Sequence, residues 1–450
     1  MAMTKDMTSG NPTGLILRFS VPMLIGNLFQ QFYNMVDSIV VGKYVGKDAL
    51  AAVGTCGPPN FFIFSLALGL AAGVSIVISQ FYGAKDYEKV RKSFATAIYI
   101  IIVAAIMMGI IGFISARSIL TLLNTPADII DQATVYMKIS CLGFIGVACY
   151  NGMASVLRAL GDSITPLIFL MVASVLNVIL DLVFVINFQM GVPGVAIATI
   201  ISQIVCAIGC ITFALIKVNI LRMPLKQVRP SKDIFKKCIK LGLPVAIQNS
   251  FISLSTMMLQ GVINSYGETV MAAATAAARV EQLILQPGMS IGVAVSTFTG
   301  QNIGAGKIDR VKKGFWSASK IIIIFSLFML PCIYFGGYSI MNLFTNAKDA
   351  EVARLGVEAM RVTCFFYSFV GMIFVSRNLL SGAGDMKIPM IMGFVEVVCR
   401  VVFAAILSNT ALEYQGIWWA TGLTWFVTSI FGIVRYATGK WRFKSVVGQN

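Results

Sequence analysis

The sequence predicts an all-α polytopic membrane protein, with twelve transmembrane helices arranged as two six-helix pseudo-symmetric lobes. Three observations predict it. The 450 residues are 57% hydrophobic and only 12% charged, with a mean hydropathy of +0.83, outside the range of soluble globular domains. Apolar runs long enough to cross a bilayer as helices recur at about twelve places. A series of short motifs from the first half then returns, in order, in the second.

In chain order, the polar segment Met1–Thr13 has no signal-peptide layout. The run after it is too long for a signal core, so the first span is expected to stay uncleaved. Spans are predicted near 15–41, 49–81, 94–115, 133–157, 164–187, 193–217, 240–265, 270–300, 315–340, 357–380, 388–408 and 415–437. The second and eighth are overlong, and Pro58-Pro59 and Pro287 are the expected breaks.

The loops between spans are charged asymmetrically. Those after even-numbered spans hold Lys85, Lys89, Arg91 and Lys92, then Lys217, Arg222, Lys226, Arg229, Lys232, Lys236, Lys237 and Lys240, then Lys307, Arg310, Lys312 and Lys313. The tail adds Arg435, Lys440, Arg442 and Lys444, whereas loops after odd spans carry Asp128, Asp131, Glu268, Asp349, Glu351 and Glu413. The positive-inside rule then predicts a multi-pass protein of the cell (inner) membrane with both termini cytoplasmic. The same distribution accounts for the net charge of +16 by attraction to an anionic leaflet, with no nucleic-acid partner.

The repeat divides the chain. Pro22 in Phe19-Ser-Val-Pro22 and Pro244 in Leu241-Gly-Leu-Pro244 stand 222 residues apart, and Phe94 and Phe315, after Gln80…Gly83-Ala84 and Gln301…Gly304-Ala305, stand 221 apart. Cys141 and Cys364, and Asp162 and Asp385, are each 223 apart. This predicts an N-terminal lobe over 1–220, a basic linker over 221–233 and a C-terminal lobe over 234–450, with the lobes running in the same sense through the membrane.

Chemistry concentrates late in the first span, where Gln30, Tyr33 and Asp37 share a helix face. A carboxylate in a membrane helix costs at least about 2.5 kcal/mol unless water, a cation or a partner compensates it. Asn177 and Asp181, four residues apart in the fifth span with Ser174 on the same face, are the candidate partners. These groups are hard oxygen ligands, suited to Na⁺ or a shared proton. Two carboxylates in one dry pocket do not both ionise cheaply, which makes a protonation switch. The competing reading is that they only cross-link helices. Gln30, Tyr33, Asn34 and, in the eighth span, Glu281 are the candidate substrate contacts; Glu281 alternatively pairs with Arg400. Glu396 and Arg400, at i and i+4, read as a neutralised structural pair. Pro22 reads equally as a hinge answering protonation at Asp37 or as a static kink. Phe61, Phe62 and Phe64 line an adaptable cleft or simply pack.

Taken together, Phe19-Ser-Val-Pro22 with Asp37, Gln80…Gly83-Ala84, Leu157-Arg-Ala-Leu-Gly-Asp162, Asn177-Val-Ile-Leu-Asp181, Gly191-Val-Pro-Gly194-Val-Ala-Ile-Ala-Thr199 and the second-half copies resemble the multidrug and toxic compound extrusion (MATE) family over essentially the whole chain. The resemblance implies a cation-coupled antiporter of two six-helix lobes that exports cationic or amphipathic drugs in exchange for H⁺ or Na⁺. Within the family it is most similar to the DinF-like branch. That branch implies a cation site of Asp37, Asn177 and Asp181, the metal ligands if the ion is Na⁺, completed by Asn151 and Thr199. The NorM-like branch uses acidic residues in helices 7 and 10; here helix 7 has none and helix 10 only Glu358, near its outer end.

Other function classes fit less well. The chain has no histidine, which removes His-based catalysis and His-ligated metal. Its nine cysteines form no CxxC pair, and those in apolar runs, such as Cys141 and Cys206, read as packing residues. Gly382-Ala-Gly-Asp385 matches an intramembrane aspartyl protease motif, but Asp162 is its repeat copy and Val36, not Tyr, precedes Asp37, so no enzyme is expected. There is no ATP-binding loop or channel filter. A lipid-linked precursor flippase is the alternative within transport. Such a protein is expected to carry more basic residues in its lobes, and Arg400 is the only one read deep in a span. No cofactor is expected beyond the coupling ion, the partners are small-molecule drugs or organic cations and the lipid bilayer, and a monomer is expected.

Overall fold

The computed structural model describes residues 4–123, 125–224, 228–344 and 350–448, and contains helices and no strand among them. Lys226 and Asp349 of the loop charge pattern lie outside the described residues. The helices are α1 (Pro12–Val40), α2 (Lys47–Gly83), α3 (Tyr87–Leu122), α4 (Ala127–Ala159), α5 (Ile164–Leu182), α6 (Gly191–Lys217), α7 (Lys232–Asn264), α8 (Glu268–Gly304), α9 (Ile308–Met341), α10 (Ala350–Cys364), α11 (Tyr367–Ala383), α12 (Lys387–Leu407) and α13 (Gln415–Ala437). Ten of them are singly long and apolar enough to cross a membrane, and α10 with α11, bent by 54°, makes a further broken span. Helix α7, 33 residues long, completes twelve. It misses the apolar criterion because Gln248, Asn249, Ser250, Ser253, Ser255, Thr256 and Gln260 interrupt its hydrophobic run.

The breaks fall elsewhere than at the prolines. Helix α2 runs unbroken for 37 residues through Pro58 and Pro59, and α8 for 37 residues through Pro287. The 54° bend has no proline. It forms at Phe365-Phe366, where Phe366 N–H donates to the Thr363 carbonyl at 2.9 Å and Phe369 N–H to the Phe366 carbonyl at 3.0 Å, three-residue closures that end one helix and start the next. Two π-helical turns, Val41–Val45 and Val183–Asn187, follow α1 and α5 directly. Pro22 sits inside continuous helix.

The repeat is visible in local geometry. After α2, Lys85 takes a left-handed φ of 60° and Asp86 N–H returns to the Phe81 carbonyl at 3.0 Å. After α8, Gly306 takes φ 71° and Lys307 N–H returns to the Asn302 carbonyl at 2.8 Å. Asp86 then caps α3, accepting from Lys89 N–H at 3.0 Å.

The chain forms two compact units: Met1–Met7 with Val21–Ile247, and Thr8–Ser20 with Gln248–Asn450. In the first, α4 packs against α2, α3 and α6. Close backbone approach depends on glycine: a Cβ on Gly73 would lie 2.7 Å from the Cys238 carbonyl oxygen of α7, and one on Gly146 3.2 Å from the Ile204 backbone nitrogen of α6. Phe64 stacks on Phe144 at 3.7 Å within this packing, while Phe61 and Phe62 are exposed. In the second unit α8 packs on α10 and α11, and α13 on α11 and α12. The chain start is tied in by Thr13 Oγ1 donating to Ser317 Oγ at 2.9 Å and Arg310 Nη1 donating to the Gly10 carbonyl at 2.9 Å.

Candidate cation site

In the first unit, α1 carries Asp37 one turn before its π-helical end, and α5 carries Asp181 two residues before its own. The valines around them, Val40, Val41, Val185, Val192 and Val195, form a dry cluster with Val36 and Tyr136 packed on it. Beside it the Asp37 and Asp181 carboxyl groups lie close to each other. Two carboxylates have no donor to share, so a hydrogen bond between them requires a proton on one of them. Asp181 is 0% and Asn177 2% exposed.

One turn back on α5, Asn177 Nδ2 donates to Thr199 Oγ1 of α6 at 3.4 Å, and Thr199 Oγ1 donates to the Val195 carbonyl at 3.1 Å. The donor side of the amide is thus engaged and its oxygen is not. Among the described residues, Asp37 Oδ1, Asn177 Oδ1 and both carboxylate oxygens of Asp181 are buried acceptors without a hydrogen-bond partner. Burying such groups unsatisfied costs several kcal/mol, roughly 2–7 for a neutral polar group and more for a charge. A bound proton or cation removes that cost. No group of three or more His, Cys, Asp or Glu gathers among the described residues. The donors are carboxylate, amide and hydroxyl oxygens, a hard set that suits Na⁺ or a proton over a transition metal.

The remaining predicted residues divide. Tyr33 lies near Gln30 and both aspartates. Asn34 is exposed, as are Phe32 and Met35. Ser174 Oγ donates to the Leu170 carbonyl. Asn151 Nδ2 donates to the Val147 carbonyl of its own helix at 2.9 Å, so hydrogen bonding does not tie it to the aspartates. Tyr136 of α4, absent from the sequence-based set, stands near Asp37, Tyr33 and Asp181. No local pattern marks it, because its partners come from other helices.

In the second unit, Glu281 lies close to Thr363, Tyr367 and the charge of Arg400, but makes no ion pair there. Its Oε1 and the Tyr367 hydroxyl are buried and unbonded among the described residues. Arg400 Nη2 pairs with Glu396 Oε1 at 3.1 Å, and Arg377 Nη2 with Glu396 Oε2 at 2.9 Å. Arg400 is therefore not the only basic group deep in a span. Arg377, near the end of the predicted tenth run, is 7% exposed because the actual helix runs on to Ala383. Asp385, of the protease-like motif, is held by Arg435 at 2.7 Å, and Asp162 caps α5 by accepting from the Ile164 and Thr165 N–H groups, each at 3.0 Å. Both are turn-forming groups. Glu358 accepts from Gln415 Nε2 and pairs with Arg354 at 3.8 Å.

The MatE family model matches residues 22–183 and 244–406. The chain is similar to the probable multidrug resistance protein YpnP of Bacillus subtilis, at 31% identity over 97% of each chain. It is also similar to the multidrug export protein MepA of Staphylococcus saprophyticus, at 24% identity over 91% of this chain and 89% of that one. Among solved structures, a MATE in the bent conformation superimposes with a TM-score of 0.90 at 25% identity, covering 97% of both chains. A MOP superfamily transporter from Pyrococcus furiosus shares the fold with a TM-score of 0.88 at 24% identity over 98% of both.

Proposed function

The chain belongs to the MatE family of multi-pass membrane transporters, and we propose that it is an antiporter exporting cationic or amphipathic drug-like compounds in exchange for H⁺ or Na⁺ bound at Asp37 and Asp181. One observation carries this: four buried acceptor oxygens, on Asp37, Asn177 and Asp181, have no protein partner among the described residues. Buried oxygens of this kind suit a bound cation, and a cation that enters and leaves is a coupling ion.

In this reading the ion binds when the site faces outside, drawing Asp37 toward Asp181 and Asn177 and pulling on α1, with Pro22 as the point that yields. Substrate affinity falls and the compound leaves outward. Release of the ion inside resets α1 for the next substrate. Tyr33, Gln30 and Asn34, on the same stretch of α1, carry the change to the substrate, and Glu281 offers a carboxylate to a cationic one. Asn151 and Thr199 are assigned to the cation site, as in the DinF-like branch. The basic loops support a cell-membrane location with both termini cytoplasmic. The protein acts as a monomeric transporter, with no catalytic centre or cofactor beyond the coupling ion.

The test is ethidium efflux from cells or everted vesicles, with the pH and Na⁺ gradients collapsed separately. Efflux that stops when one gradient is collapsed, and that Asp37→Asn abolishes, supports the proposal. Full resistance in the Asp37→Asn strain contradicts it, and no efflux from wild type moves the weight to a lipid-linked precursor as cargo.

A further inference from the structure

On the outer wall of the first unit, the ends of α3, α4 and α6 leave a partly open cavity of about 360 Å³. Its lining is hydrocarbon, with Ile98 and Ile101 of α3, Met153 and Val156 of α4, Leu215 of α6 and Met223 of the following segment among the walls. Ile98 and Met223 are partly exposed and Leu215 is exposed, so the cavity opens to the surface of the unit. Leu221, Met223 and Val228, described residues after α6, complete the lining. Arg91 Nε donates to the Ile220 carbonyl at 3.3 Å, Tyr99 hydroxyl to the Val228 carbonyl at 2.9 Å, and Ser231 N–H to Thr96 Oγ1 at 3.0 Å.

The rim is cationic without compensation. Neighbouring lysines are spent on carboxylates: Lys89 pairs with Asp86 at 2.9 Å, Lys92 with Glu88 at 2.6 Å and Lys237 with Asp233 at 3.0 Å. Arg91 and Arg222 instead hold only backbone carbonyls, Ile220 for the first and Leu215 and Ile216 for the second, and both are exposed. Neither meets a carboxylate among the described residues. An apolar slot in a membrane wall beneath two uncompensated guanidinium groups matches one kind of molecule. The slot takes an alkyl chain, and the arginines take a phosphate, which they grip in bidentate fashion. A cationic drug fits the slot but not the rim.

We propose that this cavity holds an acyl chain of an anionic phospholipid, with the headgroup phosphate on Arg91 and Arg222. The lipid then fastens the segment after α6 to α3 from outside. The proposal does not depend on the coupling ion or the exported compound.

Native mass spectrometry of the purified full chain tests it, with phosphatidylglycerol and phosphatidylcholine of identical acyl chains added in turn. Two arginines are expected to favour phosphatidylglycerol by on the order of tenfold or more. Arg91→Gln with Arg222→Gln, both at exposed positions, brings that ratio close to one. Ile98→Trp fills the slot, keeps the charge and lowers retention of phosphatidylglycerol several-fold, with a thermal melt confirming that each variant is folded. Equal retention of the two lipids by wild type overturns the proposal, as does a preference that survives the arginine substitutions or retention that survives Ile98→Trp. Displacement of the lipid by inorganic phosphate at equal concentration overturns it in favour of a free-anion site. Displacement by tetraphenylphosphonium overturns it in favour of a drug site.

Discussion

Asp37 on α1 and Asp181 on α5 bring their carboxyl groups close to each other, each just before a π-helical turn. Such turns insert one residue into the helical ladder and are frequent at functional positions, where they re-aim side chains at a helix end. Here they close the ends of the two helices that carry the aspartates, and Val41 and Val185 from those turns pack in the same cluster.

Neutralising either aspartate separates its charge from its shape. Asp37→Asn and Asp181→Asn are expected to lower coupled efflux at least tenfold while the melting temperature stays level or rises, because a buried carboxylate is exchanged for an uncharged isostere. Efflux assays beside thermal melts check this. A folded Asp181→Asn variant with wild-type efflux would make the pair a structural cross-link.

Thr199 engages Asn177 and, through its own hydroxyl, the Val195 carbonyl. Asn177→Leu removes an orphaned acceptor and is expected to abolish ion coupling. Thr199→Val removes one long hydrogen bond worth about 1 kcal/mol, and is expected to weaken the apparent affinity for the coupling ion roughly fivefold. The measurement is efflux rate against H⁺ or Na⁺ concentration.

Glu396 holds both Arg377 and Arg400 in a buried row. Glu396→Gln leaves two guanidinium groups without a counter-charge and is expected to cost about 3–5 kcal/mol. The exposed pair of Glu351 with Arg354, at 2.7 Å, gives the contrast: Glu351→Gln is expected to leave the melting temperature nearly unchanged, because water screens such a pair. Melting temperatures of the two variants side by side decide it.

Gly73 is where α2 meets α7 at backbone distance, whereas a Cβ on Gly54 of α2 would meet nothing within 4 Å. Gly73→Val is expected to lower the melting temperature strongly or prevent folding, and Gly54→Ala to leave it level or raise it slightly by improving helix propensity. Equal melting temperatures for the two would refute the close approach.

What could be read from residues alone follows from where the information sits. Asp37, Asn177 and Asp181 stand out because polar groups in apolar runs are costly and because i, i+4 spacing sets two of them on one face. Asn151 and Thr199 came only from the family resemblance, since such residues also serve as ordinary helix cross-links. Tyr136 carries no signal, as its neighbours are brought by α1 and α5. Arg377 lies near the end of the predicted 357–380 span but inside α11, which runs on to Ala383, because the boundary of a broken span is not encoded by hydropathy. Pro58, Pro59 and Pro287 pointed to breaks that packing does not require, while the bend at Phe365-Phe366 arises from a turn without a proline. Hydrophobic periodicity cannot register the single-residue insertion of a π turn.

The central claim, that the oxygens of Asp37, Asn177 and Asp181 hold the coupling cation, is tested most directly by ion release. Tetraphenylphosphonium is added to the purified protein in weakly buffered detergent solution while H⁺ and Na⁺ are recorded with selective electrodes. The account predicts release of one of these ions by wild type and by a Gly54→Ala control, and none by Asp37→Asn or Asp181→Asn variants that still bind the compound. Undiminished ion release from those two variants would contradict it.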